Sequence, residues 1–184
     1  MGSAEDERRR EAGTGDAVSV AVPTLTITRA DYRDAGHGRD LVTLLDGYAR
    51  DPMGGGEPLS ADTRERLVEA LAALPNAFSL IAYVDGQPAG LANCFVGFST
   101  FAAKPLVNVH DVVVDARFRS TGIGRALFAG IEAEAAALGA CKVTLEVLSG
   151  NGPARALYAS LGYGDYVLDP AQGTALFWQK RLAA

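Results

Sequence analysis

The sequence has few of the residues that build metal sites, disulfide frameworks and membrane spans. Its two cysteines are Cys94 and Cys141, and its two histidines are His37 and His110. These are too few for a typical metal site, so we expect no metal. Both cysteines stand in apolar runs, which predicts two buried thiols. No stretch approaches the ~20 apolar residues of a membrane helix, and the polar N-terminus has no signal-peptide core, so we expect a cytoplasmic protein.

Positive charge is also scarce. The 17 Lys and Arg residues are outnumbered by 22 Asp and Glu residues, which gives a formal net charge of −5 at pH 7. Nucleic-acid binding depends on a basic surface that neutralises phosphates, so we do not expect a nucleic-acid partner. A mild negative charge suits a cationic small molecule.

The residues that are present suffice for one domain with its own core. The chain has 184 residues, of which 48% are hydrophobic, an ordinary globular composition. Residues 1–22 contain charged residues, Gly and Ala but no aromatic residue, which is typical of a disordered tail. We therefore predict a tail at 1–22 and a single domain at 23–184.

Hydrophobic periodicity and turn residues predict alternating strands and helices. The predicted helices are 40–49, one that Ser60 caps and that ends before Pro75, 122–138 and 153–161. The predicted strands are 24–28, 78–84, 88–98, 106–114, 142–148, 163–168 and 174–180. Three glycines at 54–56 predict a flexible loop. The hairpin at 78–98 and the strand–helix–strand crossover at 106–148 together indicate an α/β domain with a mixed sheet.

The junction between the strand 106–114 and the next helix has the pattern of a phosphate site. Gly122 and Gly124 remove side chains where phosphates would approach, and a helix start offers unpaired N–H groups and the positive end of its dipole. Arg119 and Arg125 would add charge-assisted hydrogen bonds. The spacing is neither Gly-x-Gly-x-x-Gly nor a Walker motif. For an isolated Gly-x-Gly, a turn without a ligand is the preferred interpretation.

A second motif follows at a fitting distance. Residues 119–124 match Arg/Gln-x-x-Gly-x-Gly/Ala after a strand. Farther along, Asn-x-x-Ala-x-x-x-Tyr followed by Gly-Phe/Tyr is matched by Asn151, Ala154, Tyr158, Gly162 and Tyr163. With these motifs the chain resembles the GNAT acetyltransferases over about residues 24–182, and specifically over 106–163. The resemblance implies an α/β fold with a mixed central sheet of six to seven strands flanked by about four helices.

The resemblance also implies acetyl-CoA as cosubstrate and a set of residues that bind it. In that family a bulge splays the central strand from its neighbour, and pantetheine lies in the gap. Val112, Val113 and Val114 would contact pantetheine through their backbone, with the Val113 N–H polarising the thioester carbonyl. Asn151 and Ala154 would line the lower tunnel. The pyrophosphate would be held by Arg119, Ser120, Thr121, Gly122, Ile123, Gly124 and Arg125.

Amine acetylation requires one proton to leave the amine and favours another reaching the departing thiolate. Tyr158 matches the tyrosine that donates this proton in many GNAT enzymes; the alternative is a tyrosine that only packs on the sheet. His110 is the candidate base, because it lies two residues before Val112 and an imidazole titrates near neutrality. Asp111, expected on the opposite face of the strand, and the absence of a dedicated base are the alternatives.

The acceptor is less defined by the sequence. Asp46, Asp51 and Glu57 surround the glycine loop and suit a cationic amine, although a solvated acidic loop is the preferred interpretation. The segment around His110-Asp111 is similar to diamine acetyltransferases, which carry Glu-Asp there. We expect a small primary amine as acceptor. The alternatives are a protein or peptide acetyltransferase and a non-catalytic acyl-CoA-binding module. Homodimers are common in the family, but the sequence marks no interface.

Overall fold

The computed structural model describes residues 23–182, so the tail predicted at 1–22 lies outside the described residues. Five strands and four α-helices are present in this part of the chain. In chain order they are β1 (Leu25–Arg29), α1 (Ala35–Ala49), α2 (Ala61–Ala72), β2 (Ala77–Val84), β3 (Gln87–Ser99), β4 (Lys104–Val114), α3 (Ile123–Ala137), β5 (Val143–Leu145) and α4 (Gly152–Ser160). The predicted α/β class and the four helices are confirmed.

The strands form one mixed sheet in the order β1-β2-β3-β4-β5. The first three pairings are antiparallel and the last, β4 with β5, is parallel. Asp85 and Gly86 make the β2–β3 turn with φ angles of 49° and 77°, the left-handed pair that a tight hairpin requires. The crossover through α3 explains the parallel pair, because a parallel connection must cross the face of the sheet.

Each face of the sheet is covered by different helices. On one, which we call the α3 face, Val107 and Val109 pack with Leu127 and Phe128. On the other, the α1 face, Leu41 and Leu44 of α1 pack against Ile81, Leu91 and Val113. Because alternate strand residues point to opposite faces, each strand contributes to both layers of the core.

Helix α1 starts five residues before the predicted helix. The side chain of Asp34 accepts a hydrogen bond from the His37 N–H at 2.8 Å and caps the helix there. The cap predicted for the second helix is confirmed, since Ser60 accepts from the Thr63 N–H at 3.0 Å. No helix within 23–182 is long and apolar enough to cross a membrane.

Two predictions about the remaining segments were wrong. The predicted sheet had six to seven strands, but residues 163–168 and 174–180 form none; a single backbone hydrogen bond, from the Ala175 N–H to the Tyr166 carbonyl, joins the two segments, and a strand needs a continuous ladder. Cys94 is buried, whereas Cys141 is exposed in the loop before β5. In the glycine loop, the N–H groups of residues 54–56 all donate to the Asp51 carbonyl.

Candidate active site

Strand β4 carries a bulge at His110. Asn93 of β3 pairs with Asp111 and the next residue, Cys94, pairs with Val109, so His110 is the extra residue in β4. A bulge of this kind places two successive side chains on one face. The ring of His110 meets Phe95 edge-on at 5.5 Å, and Asp111 accepts a hydrogen bond from Asn93. His110 and Asp111 therefore share the α1 face, and the expectation of opposite faces was wrong.

The same bulge changes which backbone groups of β4 face outward. Before it, the Val107 N–H donates to the Lys142 carbonyl, toward β5; after it, the Asp115 N–H donates to the Ala89 carbonyl, toward β3. Because backbone groups alternate along a strand, the amide of Val113 also faces β3, opposite Leu91. The amides of Val112 and Val114 face the other edge. The amide expected to be available, that of Val113, thus belongs to the β3–β4 ladder.

Within residues 23–182, no strand lies beside this edge of β4 after the bulge. Pairing with β5 runs from Val107 with Val143 to Val109 with Leu145 and stops there, while β4 continues to Val114. The part of β4 that follows the bulge is consequently open on the β5 side. This is the splayed arrangement that the sequence resemblance implied, and it leaves room for an extended chain to add to the sheet edge.

The phosphate-type turn lies at the end of this open edge. Ser120 and Gly122 have φ angles of 64° and 92°, in the left-handed region that glycine adopts most readily. Gly122 is the N-cap of α3 and provides no side-chain hydrogen bond to the helix. The first N–H groups of this 15-residue helix are thus left for a ligand.

Both predicted arginines are already engaged. Arg119 donates to Asp51 Oδ2 at 2.9 Å and to the Val114 carbonyl at 3.3 Å. Arg125 donates to Ser160 Oγ at 2.9 Å and so joins α3 to α4. Each remains largely exposed and adds positive charge beside the α3 N-terminus.

The other residues of the turn offer a ligand their backbone more than their side chains. Thr121 donates its hydroxyl to the Phe118 carbonyl at 2.6 Å, and the side chain of Ile123 is in the core. A Cβ at Gly124 would lie 2.8 Å from Leu157 Cδ2. Gly124 therefore lets α3 approach α4. This contact differs from the role predicted from the sequence, in which the glycine leaves space for phosphates.

Asn151 and Ala154 lie at the start of α4. Asn151 is its N-cap and accepts from the Ala154 N–H at 3.2 Å, a contact that accounts for the Asn-x-x-Ala spacing by capping. Ala154 is half-buried against the core of the α3 face. Their side chains serve the helix start whether or not a ligand lies beside them.

Tyr158 projects from α4 into the core of the α3 face. It is 8% exposed, and its ring lies 5.1 Å from that of Phe128. Burial, with a smaller contribution from Tyr48, raises the pKa of Tyr158 to about 12. The phenol stays protonated at neutral pH.

A buried polar chain on the α1 face runs across β2 and β3 to Asp111 on β4. Tyr32 Oη lies 2.9 Å from Ser79 Oγ, which donates to Asn93 Oδ1 at 2.6 Å. Asn93 Nδ2 then donates to Asp111 Oδ2 at 3.1 Å. Sequence reasoning missed Tyr32, Ser79 and Asn93. A polar residue at a core position of a strand, as in Ser79 and Asn93, was the available signal.

Two carboxylates expected at the acceptor side are already neutralised. Asp46 forms an ion pair with Arg50 at 2.9 Å and accepts from the Leu59 N–H. Asp51 forms an ion pair with Arg119 at 2.9 Å. The exposed Glu57 and the half-buried Asp111 are the acidic side chains left on this side. Within 23–182 no group of three or more His, Cys, Asp or Glu side chains is arranged to hold a metal ion.

A cavity of about 320 Å³ lies between α1 and the end of β4. It is lined by Leu44 and Gly47 of α1, by Val113 and Val114, and by Arg119. A larger cavity of about 420 Å³ lies between α1 and α2, away from β4. The smaller cavity connects the phosphate turn with the α1 face and is the one relevant to the site.

Comparisons with known proteins agree with this geometry. Residues 55–163 match the model of the acetyltransferase (GNAT) family. No curated protein matches the sequence.

Several solved structures share the fold. An aminoglycoside N-acetyltransferase, AAC(6')-Iy, in complex with CoA is 18% identical, with a TM-score of 0.68 over 89% of this chain and 99% of that one. An aminoglycoside acetyltransferase from an uncultured soil metagenomic sample, in complex with sisomicin, is also 18% identical, with a TM-score of 0.68 over 85% and 97%. A probable acetyltransferase is 17% identical, with a TM-score of 0.72 over 86% of this chain and 99% of that one.

The matched segment is more than half of the chain and includes the bulged strand, the phosphate-type turn and α4 up to Tyr163. The protein therefore belongs to the GNAT family of acetyl-CoA-dependent N-acetyltransferases.

Proposed function

We propose that this protein transfers the acetyl group of acetyl-CoA to a primary amine on a small molecule. The observation that carries the proposal is the open edge of β4 after the bulge, which leads directly to the uncapped N-terminus of α3. An extended chain ending in phosphates fits this edge, because the strand offers backbone partners and the helix start offers N–H groups with a positive dipole end.

Each predicted cofactor residue has a role in this proposal. Pantetheine adds to the edge of β4 through the amides of Val112 and Val114, which replace Val113 as candidates for polarising the thioester carbonyl. The backbone at 120–125 holds the pyrophosphate, with Arg119 and Arg125 as flanking charges. Asn151 and Ala154 position the start of α4 beside the same edge.

Tyr158 is the proposed proton donor. Acetyl-CoA supplies an activated acyl group as a thioester; as the new C–N bond forms and the C–S bond breaks, the sulfur needs a proton. A phenol whose pKa burial has raised to about 12 carries its proton throughout the neutral range. It is therefore able to donate when a thiolate develops next to it.

The base lies on the α1 face, where the bulge brings His110 and Asp111 together. An alkylammonium acceptor has a pKa of ~10 and must lose a proton before it attacks. His110 is exposed at this position and Asp111 is half-buried. Either side chain is able to accept the proton, directly or through water.

The acceptor is proposed to be a cationic amine of the diamine or polyamine type, or an amino-acid-like amine. The negative net charge and the unpaired carboxylates at Asp111 and Glu57 favour a cation over an anion. Sisomicin, present in one structure of the same fold, is itself a small molecule with several amines, so aminoglycosides belong in the same test.

The test is release of free thiol from acetyl-CoA with a panel of diamines, polyamines, amino acids, aminoglycosides and peptides. Turnover with at least one small amine, above the rate without acceptor, supports the proposal. Turnover with peptides alone points to a protein acetyltransferase. Tight CoA binding without turnover on any amine contradicts catalysis and favours a binding module.

A further inference from the structure

The polar chain from Tyr32 to Asp111 crosses the core and ends at the candidate site. Ser79 and Asn93 are 0% and 4% exposed, and the part of the chain that the structure describes has no buried side-chain N or O atom without a hydrogen-bond partner. Buried polar groups are costly unless fully paired. Ser79 and Asn93, two buried polar residues in the middle of an apolar sheet, therefore require an explanation.

We propose that Asn93 is a positioning residue that orients the Asp111 carboxylate toward the acceptor amine, so that Asp111 takes the proton. The proposal rests on the proposed function and names the base of that site. His110, the base first expected, is exposed, and the ring of Phe95 is its packing partner.

The hydrogen bonds of the chain have one consistent direction. An ionised Asp111 only accepts, so Asn93 must present its NH₂ group to it and its carbonyl oxygen to Ser79. The single Ser79 proton then goes to Asn93, at 2.6 Å, and Ser79 must accept from the Tyr32 hydroxyl. Reversing the Asn93 amide would set its carbonyl oxygen against the carboxylate. The orientation of Asn93 is thus coupled to the charge of Asp111.

The surroundings of Asp111 leave room for the acceptor. Within the described residues, its hydrogen bond from Asn93 uses Oδ2, and Oδ1 is left for a ligand. The titratable groups on the same face are Tyr48 on α1 and His110 on β4, while Cys94 lies on the opposite face of β3. The Asp111 charge contributes to the raised pKa of Tyr48 and of Cys94, after burial. No cationic side chain within 23–182 forms an ion pair with Asp111, so an ammonium group would be its partner.

The proton balance is simple. The ammonium N–H proton passes to Asp111 Oδ1, and the neutral amine attacks the thioester carbonyl carbon. The C–N bond forms, the C–S bond breaks, and the sulfur takes the Tyr158 proton. The acylated nitrogen then loses its second proton, which returns through water to the Tyr158 phenolate, and the Asp111 proton passes to water, so both side chains regain their starting state. No oxidant or further reactant is needed.

The first test is Asn93→Asp, which keeps the size and places a second carboxylate against Asp111. Two adjacent carboxylates do not both ionise easily, so the acidic limb of the kcat/KM profile should move up by about one pH unit or more. We expect kcat/KM at neutral pH to fall by roughly tenfold to a hundredfold. The affinity for CoA should stay within about twofold, since the phosphate turn is untouched.

Asn76→Asp is the matched control. Asn76 lies just before β2 and donates its amide to the Val96 carbonyl, so the change has the same chemistry and charge but lies away from Asp111. Its kcat/KM and pH profile should equal those of the unchanged protein. If Asn93→Asp leaves both the pH profile and kcat/KM unchanged as well, the proposal is wrong.

The second test is the exchange variant Asn93→Asp/Asp111→Asn. The hydrogen bond re-forms with its direction reversed, so thermal stability should recover from any loss in Asn93→Asp, while turnover stays low because the carboxylate now lies at the buried position 93 on β3. Recovery of turnover together with stability would overturn the proposal, since it would reduce Asn93 to a structural role.

If Asn93→Asp does not fold, Ser79→Ala serves instead. It removes the donor that fixes the Asn93 amide, so we expect about a threefold to tenfold loss of kcat with CoA affinity retained; unchanged kcat contradicts the proposal. All these comparisons use an amine on which the unchanged protein turns over. Failure of every amine there contradicts the proposed function, whereas normal turnover in the Asn93 and Ser79 variants contradicts this inference alone.

Discussion

The guanidinium of Arg119 donates to Asp51 Oδ2 at 2.9 Å, although 68 positions separate the two residues in the chain. The contact joins the turn after α1 to the turn that precedes α3. Hydrogen bonds from the Met53 N–H and then from Arg119 lower the pKa of Asp51, so its carboxylate is charged at neutral pH. A proposed phosphate ligand of Arg119 would compete with this carboxylate for the same donors.

Asp51→Asn should therefore strengthen CoA binding. Without the competing charge, the Arg119 guanidinium is free to turn toward the pyrophosphate, and we expect Kd for CoA to fall by roughly twofold to fivefold at low salt. The gain should shrink at high salt because the contact is exposed. Calorimetric titration of CoA at two salt concentrations measures both effects.

Asp62→Asn is the control for this prediction. Asp62 pairs with Arg66 on the surface of α2, so the substitution makes the same charge change and also breaks an exposed ion pair. It should leave Kd for CoA unchanged. Weaker CoA binding in Asp51→Asn would instead mean that the ion pair preorganises Arg119 for the phosphates.

Tyr158→Phe should lower kcat while CoA affinity is retained. The substitution removes the proposed proton donor and keeps the ring that packs on Phe128; we expect kcat to fall by roughly tenfold to a hundredfold. Because the pKa of Tyr158 is raised to about 12, its deprotonation should cause no loss of kcat below about pH 10. Steady-state kinetics across pH and CoA titration check this.

Tyr163→Phe is the paired control, because it deletes a phenol hydroxyl that donates to Glu132 Oε1 at 3.1 Å on the side of α3. It should change kcat little. If Tyr158→Phe has the same kcat as the unchanged protein, Tyr158 is not the proton donor. If Tyr158→Phe and Tyr163→Phe lose kcat equally, the loss comes from altered packing.

Gly54→Ala should destabilise the protein. A Cβ at Gly54 would overlap the Tyr48 carbonyl, whose carbon it would approach to 2.7 Å, and backbone cannot move aside as a side-chain end does. We expect a loss of ~1–3 kcal/mol in the free energy of unfolding. Denaturant unfolding of the variant measures it.

Gly47→Ala is the comparison for Gly54→Ala. Gly47 is exposed on α1 and a Cβ there meets nothing within 4 Å. Replacing a helical glycine with alanine in open space should stabilise by ~0.5–1 kcal/mol. Destabilisation of similar size in both variants would contradict the close approach at Gly54.

Trp178 reports on the C-terminal segment. It is the single tryptophan of the chain and is 82% exposed, so emission should resemble that of free tryptophan and be strongly quenched by acrylamide. An emission maximum that moves to shorter wavelength as protein concentration rises would show that a second copy covers this segment, in line with the homodimers expected from the resemblance. A blue-shifted maximum at all concentrations would contradict the exposed position.

Local patterns were enough to predict most elements. The cap at Ser60, the Asp85-Gly86 turn and the apolar run of β4 each act within a few residues, so their effect is visible in sequence. The start of α1 was placed late because its cap, Asp34, precedes two glycines that interrupt the apolar period. The strands expected at 163–168 and 174–180 failed because a strand depends on a partner that no local pattern supplies.

The candidate site also has parts that local patterns predicted and a part that they did not. The phosphate-type turn, Tyr158 and the family were evident from motifs, since glycine positions and helix starts are set by short stretches of chain. The face of the sheet on which Asp111 lies was not evident from the sequence, because one extra residue at His110 reverses the alternation that a regular strand would keep.

The sequence by itself determined the fold class and the family, because each depends on patterns and spacing within short segments. The tertiary structure alone decided which amides of β4 are free, that Asp46 and Asp51 are neutralised, and that Tyr32, Ser79 and Asn93 lead to Asp111. These depend on hydrogen bonds and ion pairs between distant segments, and the energy of such contacts is set by distance and burial in the folded chain, which spacing along the sequence does not contain.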